Sequence, residues 1–139
     1  MLTLQRIINT TPAKIIKRAK SGCKRKFLGR YVMANNVVFV FSTGCETGSF
    51  KYVTQIGIAN LSLGLNSPAV VHCTCPMFKF YLEVACARHG ASFIYNALPL
   101  FPKITNPRGL CYLCKHQIYI LEAVNTRIKR DQARIKARR

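Results

Sequence analysis

A chain of 139 residues with 22 Lys and Arg against four acids (Glu46, Glu83, Glu122 and Asp131) carries a formal charge of +18, which leaves little room for paired-carboxylate chemistry and points to a polyanionic partner: nucleic acid, an acidic membrane or an acidic protein surface. Half of the residues are hydrophobic, which argues against a wholly disordered chain, yet this length builds one small domain with a modest core. Seven cysteines, an odd number, follow a start (Met-Leu-Thr-Leu-Gln-Arg) without the pattern of a signal peptide, which favours thiols and metal in a reducing compartment over a disulfide framework, and the longest apolar runs, such as 37–41, are too short to cross a bilayer.

Thr11 as N-cap, Pro12 at the first helical position and Gly22 past the end predict a short helix from 12 to about 20. Ile15, Ile16 and Ala19 form its narrow apolar face, and Lys14, Lys17, Arg18 and Lys20 occupy the remainder. The basic run continues through Lys24, Arg25, Lys26 and Arg30, so 14–30 holds eight of the 22 cations. It reads either as a solvated face or as a binding patch. Residues 1–30 are expected to form a basic N-terminal arm.

Strands are expected at 31–33 and 37–42. Phe50, Tyr52, Thr54, Ile56 and Ile58 then alternate with Lys51, Val53, Gln55 and Gly57, the period of a half-buried strand that returns on 37–42 as a hairpin. After a loop at 59–68, a third strand at 69–74 leads into Cys73 and Cys75. Beyond Pro76 the period changes: Phe78, Tyr81, Leu82, Ala85 and His89 recur at three and four, predicting a helix over about 77–88, with Gly90 weakening its end and a further turn at 92–96. Pro99, Pro102 and Pro107 hold 98–110 extended. The last helix starts near Cys114 and places Ile118, Leu121, Val124 and Ile128 on one face. Past Asn125 it is almost uniformly basic, with Arg127, Lys129, Arg130, Arg134, Lys136, Arg138 and Arg139. That tail, 126–139, is expected as an exposed helical extension or as a segment that orders on a partner. The fold class is α+β: an antiparallel sheet of three or four strands and two main helices, over a domain at 31–125.

Two close pairs of soft ligands, Cys73/Cys75 and Cys114/His116, stand at the ends of a long spacer. Side chains two apart on a strand share a face, so Cys73 and Cys75 present two sulfurs to one ion, and a helix N-terminus favours thiolate at Cys114. Three thiolates and one imidazole fill a tetrahedron around Zn²⁺ and leave no position for an activated water, so the expected site is structural. Cys111 and Cys114 form Cys-x-x-Cys, and Cys111 in place of His116 remains an alternate ligand. Cys86 and His89, one helical turn apart, read as core or spacer residues. His72 alternates to the opposite side of its strand, and Cys23 and Cys45 have no evident partner.

The run Cys73-Thr-Cys75-Pro76-x-Phe78, with Asn106-Pro107 and Cys114-Lys115-His116, resembles the SWIM zinc finger, and most of all the SWIM-type domains of tailed-bacteriophage virion proteins. The resemblance covers roughly 31–125; the spacer from Pro76 to Leu113 is longer than in ordinary SWIM fingers. It implies a β-hairpin-plus-helix zinc module with Cys73, Cys75, Cys114 and His116 as ligands. It also implies a structural component of a phage particle (capsid, neck, tail or baseplate), made in the host cytoplasm and docking to other virion proteins or nucleic acid through its basic arms. No Gly-rich phosphate loop or nucleophile elbow appears, so no enzymatic activity, small-molecule substrate or membrane partner is expected. The second expectation is a nonspecific nucleic-acid-binding accessory protein, with the cations of 14–30 and 127–139 on phosphates.

Overall fold

Strand alternation along 36–58 sets the centre of the structure. The computed structural model describes residues 2–19, 24–44, 52–76, 78, 82–91 and 110–138. Of the residues singled out above, Lys20, Gly22, Cys23, Cys45, Glu46, Phe50, Lys51, Tyr81, Asn106, Pro107 and Arg139 lie outside that set, as do the turn at 92–96 and nearly all of 98–110. Strands β1 (Lys24–Met33), β2 (Asn36–Gly44), β3 (Tyr52–Ile58) and β4 (Ala69–Cys73) form one sheet in the order β1-β2-β3-β4, each neighbour antiparallel. Helices α1 (Leu4–Thr10), α2 (Ala13–Ala19), α3 (Glu83–Arg88) and α4 (Lys115–Ala137) accompany it. The α+β class with a small antiparallel sheet is therefore what the chain adopts.

Residues directly opposite in adjacent strands share a face and pack as rows. One row runs Phe27–Phe41–Thr54–Cys73 from edge to edge, and the next runs Arg30–Phe39–Ile56–Val71. Phe39, Phe41, Ile56, Ile58 and Val71 are buried there, and α4 covers the same face with Ile120, Val124 and Ile128. The apolar stripe of α4 was expected on Ile118, Leu121, Val124 and Ile128; Ile118 and Leu121 instead sit half-buried at its margin. His116 and Gln117 cause the shift, because both are drawn inward in the first turn and set the phase of the helix.

Strand β1 begins well before the predicted 31–33. Its residues are mostly exposed, Lys24, Arg25, Lys26 and Arg30 among them, and only Phe27 and Gly29 are partly covered. Pairing with β2, not an apolar period of its own, makes it a strand, and its cations suit an edge. A bulge at Leu28 breaks the register between Phe27 and Gly29. Gly29, at φ 150°, supplies the backbone conformation beside it. The extra residue turns Arg30 onto the face that carries Phe27. The β1–β2 hairpin closes through Ala34 and Asn35, both at positive φ, as a two-residue turn requires.

The N-terminal segment contributes to the same core. Thr3 caps the unpredicted α1 by accepting the Arg6 N–H at 3.1 Å. Leu4 and Ile7 from α1, and Ile15 and Ala19 from α2, are buried. Backbone bonds tie α1 to the loop before β4, Leu4 N–H to Ser67 O and Ala69 N–H to Leu2 O. That loop contains a 3₁₀ segment, Leu61–Asn66, in which Gly64 at φ 55° lies against the Gln132 side chain of α4. Where a helix over 77–88 is expected, the described residues Pro76, Phe78 and Leu82 are helical and α3 follows through Arg88, with Phe78 and Leu82 buried. The basic tail is helical through Ala137. No helix among the described residues is long and apolar enough to cross a membrane.

Candidate metal centre

Strand β4 delivers Cys73 to the sheet edge, and Thr74 extends the pairing by one residue through reciprocal bonds with Val53. The chain bends at Cys75, whose Sγ accepts the Phe78 N–H at 3.4 Å. From the other side Cys114 is the N-cap of α4 and His116 lies in its first turn. The approach to that turn is fixed by buried polar contacts: Leu113 N–H donates to Thr11 Oγ1 at 3.1 Å, and Cys114 N–H to Gln117 Oε1 at 2.9 Å. All four residues are buried, and their ligand atoms lie within 4.8 Å of one another. Cys73 Sγ and His116 Nδ1 stand 3.9 Å apart.

Three sulfurs and one imidazole nitrogen suit a soft or borderline cation in tetrahedral coordination. Around such an ion, bonds of ~2.3 Å to sulfur and ~2.0 Å to nitrogen would put neighbouring donors about 3.5–3.8 Å apart. A contraction of about an ångström at most closes the observed cluster onto that geometry. The residues fit a metal ion.

Protonation makes the same argument. Hydrogen bonds from Cys114 and then Cys73 hold the Cys75 thiol far below the usual thiol range, against the effect of its burial. Burial, reinforced by Cys73 and Cys75, pushes the Cys114 thiol well above that range. A single thiolate is thus favoured here and further ones are resisted, because negative charge accumulates in a dry site. A cation in their midst allows all three sulfurs to ionise together.

Neighbouring groups orient the donors. Thr54 Oγ1 lies 3.4 Å from Cys73 Sγ and 2.8 Å from Thr43 Oγ1, giving a buried relay from β2 to the sulfur. The Tyr52 ring stands 5.0 Å from that of His116. Contacts of this kind commonly set ligand direction and basicity. Sequence reasoning missed both threonines; the available signal was a hydroxyl at the inward position of β3, where Ile56 and Ile58 set the period.

The other cysteine and histidine readings resolve differently. Cys86 and Cys111 are joined in a disulfide, so Cys111 is spoken for and is not among the residues gathered at the cluster. The odd cysteine count favours thiols and metal over a disulfide framework, and one disulfide forms beside the cluster because Cys86 of α3 and Cys111, both buried, meet in the core. His89 is exposed at the end of α3, and His72 rests edge-on against Phe78 at 5.6 Å, away from the donors.

The predicted cations separate into two groups. Lys14, Lys17 and Arg18 are exposed on α2. Lys24, Arg25 and Lys26 are exposed along β1 and Lys129, Arg130, Arg134, Lys136 and Arg138 along α4, while Arg30 of β1 meets Arg127, Arg130 and Arg134 of α4 at one cleft. Arg25 bonds the Tyr119 carbonyl at 2.8 Å and lies over its ring, and the Arg127 guanidinium lies 3.4 Å from the Phe27 ring centroid. Comparison with known proteins finds no matching family model, no matching curated protein and no matching solved structure.

Proposed function

We propose that the Cys73, Cys75, Cys114 and His116 cluster holds a structural Zn²⁺, and that the protein is a non-enzymatic structural component of a bacteriophage particle. The observation that carries this is the donor set: four buried side chains with ligand atoms within 4.8 Å of one another would complete a tetrahedron around a bound ion and leave it no open position at which to activate water. Its work is then mechanical, fastening β4 to α4 in a chain too small to rely on its core. The resemblance of the Cys-x-Cys-Pro and Cys-Lys-His elements to phage SWIM-type domains supports the virion setting, in which the basic surfaces dock to neighbouring subunits or to nucleic acid.

Elemental analysis of protein purified without added metal tests the first part, with about one equivalent of zinc expected for a four-ligand site; a chain that folds without bound metal overturns it. For the second part, the protein should copurify with washed, intact particles at fixed stoichiometry. Its absence from them overturns the virion role.

A second reading, a nonspecific nucleic-acid-binding accessory protein, is favoured by one observation. Arg30 of β1 and Arg127, Arg130 and Arg134 of α4, distant in sequence, line one cleft.

A further inference from the structure

We propose that the cleft between β1 and the C-terminal half of α4 is a binding site for the phosphodiester backbone of nucleic acid, read without regard to base sequence. The inference rests on the nucleic-acid reading above and gives it an address. The cleft has a volume of about 220 Å³ and is lined by Phe27, Arg30, Phe39, Arg127, Arg130, Asp131 and Arg134. Four guanidiniums thus face a single carboxylate. Asp131 pairs with Arg30 and lies 4.0 Å from Arg134, so one acid is shared and, among the described residues, a net positive charge of three stays uncompensated in the cavity.

Three features make this an anion site and not merely a solvated face. The bulge at Leu28 turns Arg30 inward, toward α4, where regular alternation would have sent it outward. Arg127 is held over Phe27, and its Nε is buried without a hydrogen-bond partner among the described residues. Burial, and after it the charge of Arg130, disfavours the protonated form of Arg127, a cost that an anion in the cleft would offset. Arginine is also the side chain whose planar fork matches phosphate oxygens in pairs.

The arrangement along α4 selects a polymer over a single phosphate. Arg127, Arg130, Arg134 and Arg138 recur at i, i+3, i+7 and i+11, one stripe on the helix. It spans about 16 Å at ~1.5 Å per residue, a length over which one DNA strand passes roughly five phosphates. The Phe27 face is covered by Arg127, so the cleft offers no open aromatic platform for a base, which is why the contact should be indifferent to sequence.

The test is fluorescence anisotropy of the full zinc-loaded chain with a labelled mixed-sequence DNA duplex, titrated over a salt series. The wild type should bind with a log–log salt slope of about −3 to −4, at −0.9 per phosphate for four arginines. R130Q/R134Q, at exposed positions, should weaken binding about tenfold and flatten the slope by about two contacts' worth. K14Q/K17Q, which removes equal charge from α2, should stay close to wild type. Zinc content and thermal unfolding establish that each variant is folded, and R134Q/R138Q carries the same test if the first pair is destabilised. A wild type that binds no duplex even at the lowest salt overturns both the cleft and the nucleic-acid reading. Equal losses in R130Q/R134Q and K14Q/K17Q overturn the cleft alone. Tighter binding of a poly-glutamate peptide than of the duplex overturns the phosphodiester assignment in favour of an acidic protein.

Discussion

One row of core side chains, Phe27–Phe41–Thr54–Cys73, ends in opposite chemistry at its two edges. At the β4 edge three thiols and an imidazole converge in a dry site, where ionised sulfur accumulates negative charge that a cation would hold. At the β1 edge four guanidiniums surround one carboxylate, and the exposure of Arg30 and Arg134 keeps them in part solvated. Both edges face α4, the first at its N-terminus and the second along its C-terminal half. The difference lies in the cost of burial. Soft neutral donors can be taken fully out of water and charged only when a metal arrives. Guanidiniums are always charged and can be gathered only where water, or an anion, still reaches them.

Breaking the β4 edge should have the largest effect. Apparent metal-binding free energies of structural zinc sites run to about 10 kcal/mol or more, which rivals the whole stability of a small domain. C73S, C114S, H116A or a strong chelator should therefore abolish the cooperative thermal transition, followed by far-UV circular dichroism. A chelated chain melting within a few degrees of the metal-bound one would show that the clamp is not structural.

The Cys86–Cys111 bond comes next. Closing a loop with a sequence separation of 25 corresponds to about 3.5 kcal/mol in the chain-entropy account. C86A or C111A should lower the urea midpoint accordingly while bound zinc stays at its wild-type level. Loss of zinc from C111A, with the fold intact, would return Cys111 to the ligand set and redraw the β4 edge.

How legible these two edges were in the sequence follows the same division. That Cys73, Cys75, Cys114 and His116 come together was readable because ligand chemistry is local: two residues in Cys-x-Cys and two in Cys-x-His carry their meaning in their spacing. The sheet was readable where alternation is strict, as along Tyr52–Ile58. Of β1 only 31–33 was readable, because the cations ahead of it give no apolar signal and its pairing is set by β2. Helix α1 was overlooked although Thr3, Leu4 and Ile7 mark a cap and an inward face. The Cys86–Cys111 pairing could not be deduced, since spacing alone does not reveal that α3 packs beside the segment entering α4. Nor could the cleft, whose walls are about a hundred residues apart in the chain.

Removing the lone carboxylate of the β1 edge should have an intermediate effect. Asp131 is nearly buried, but its partner Arg30 is half exposed, and screening of that arginine limits the loss in D131N to about 1–2 kcal/mol. The same substitution raises the positive charge of the cleft, so DNA binding should tighten as stability falls. Weaker binding in a folded D131N protein would mean that Asp131 chiefly positions Arg30 for its ligand.

The smallest effect is expected from Thr54→Val, and it separates the edges most sharply. Valine keeps the shape and the β-branch but removes the hydroxyl between Thr43 and Cys73. Thr43 Oγ1 retains the Tyr52 carbonyl at 3.4 Å, so the loss in stability should be only about 1 kcal/mol. Cys73 loses an orienting neighbour, and zinc affinity measured by chelator competition should fall about tenfold. DNA affinity and its salt slope should not move, because Phe41 stands between Thr54 and Phe27 in the row and carries no polar group to transmit the change. If T54V weakens zinc and DNA binding together, the two edges are coupled through the packed row, and their independence fails at the residue where it is least expected to.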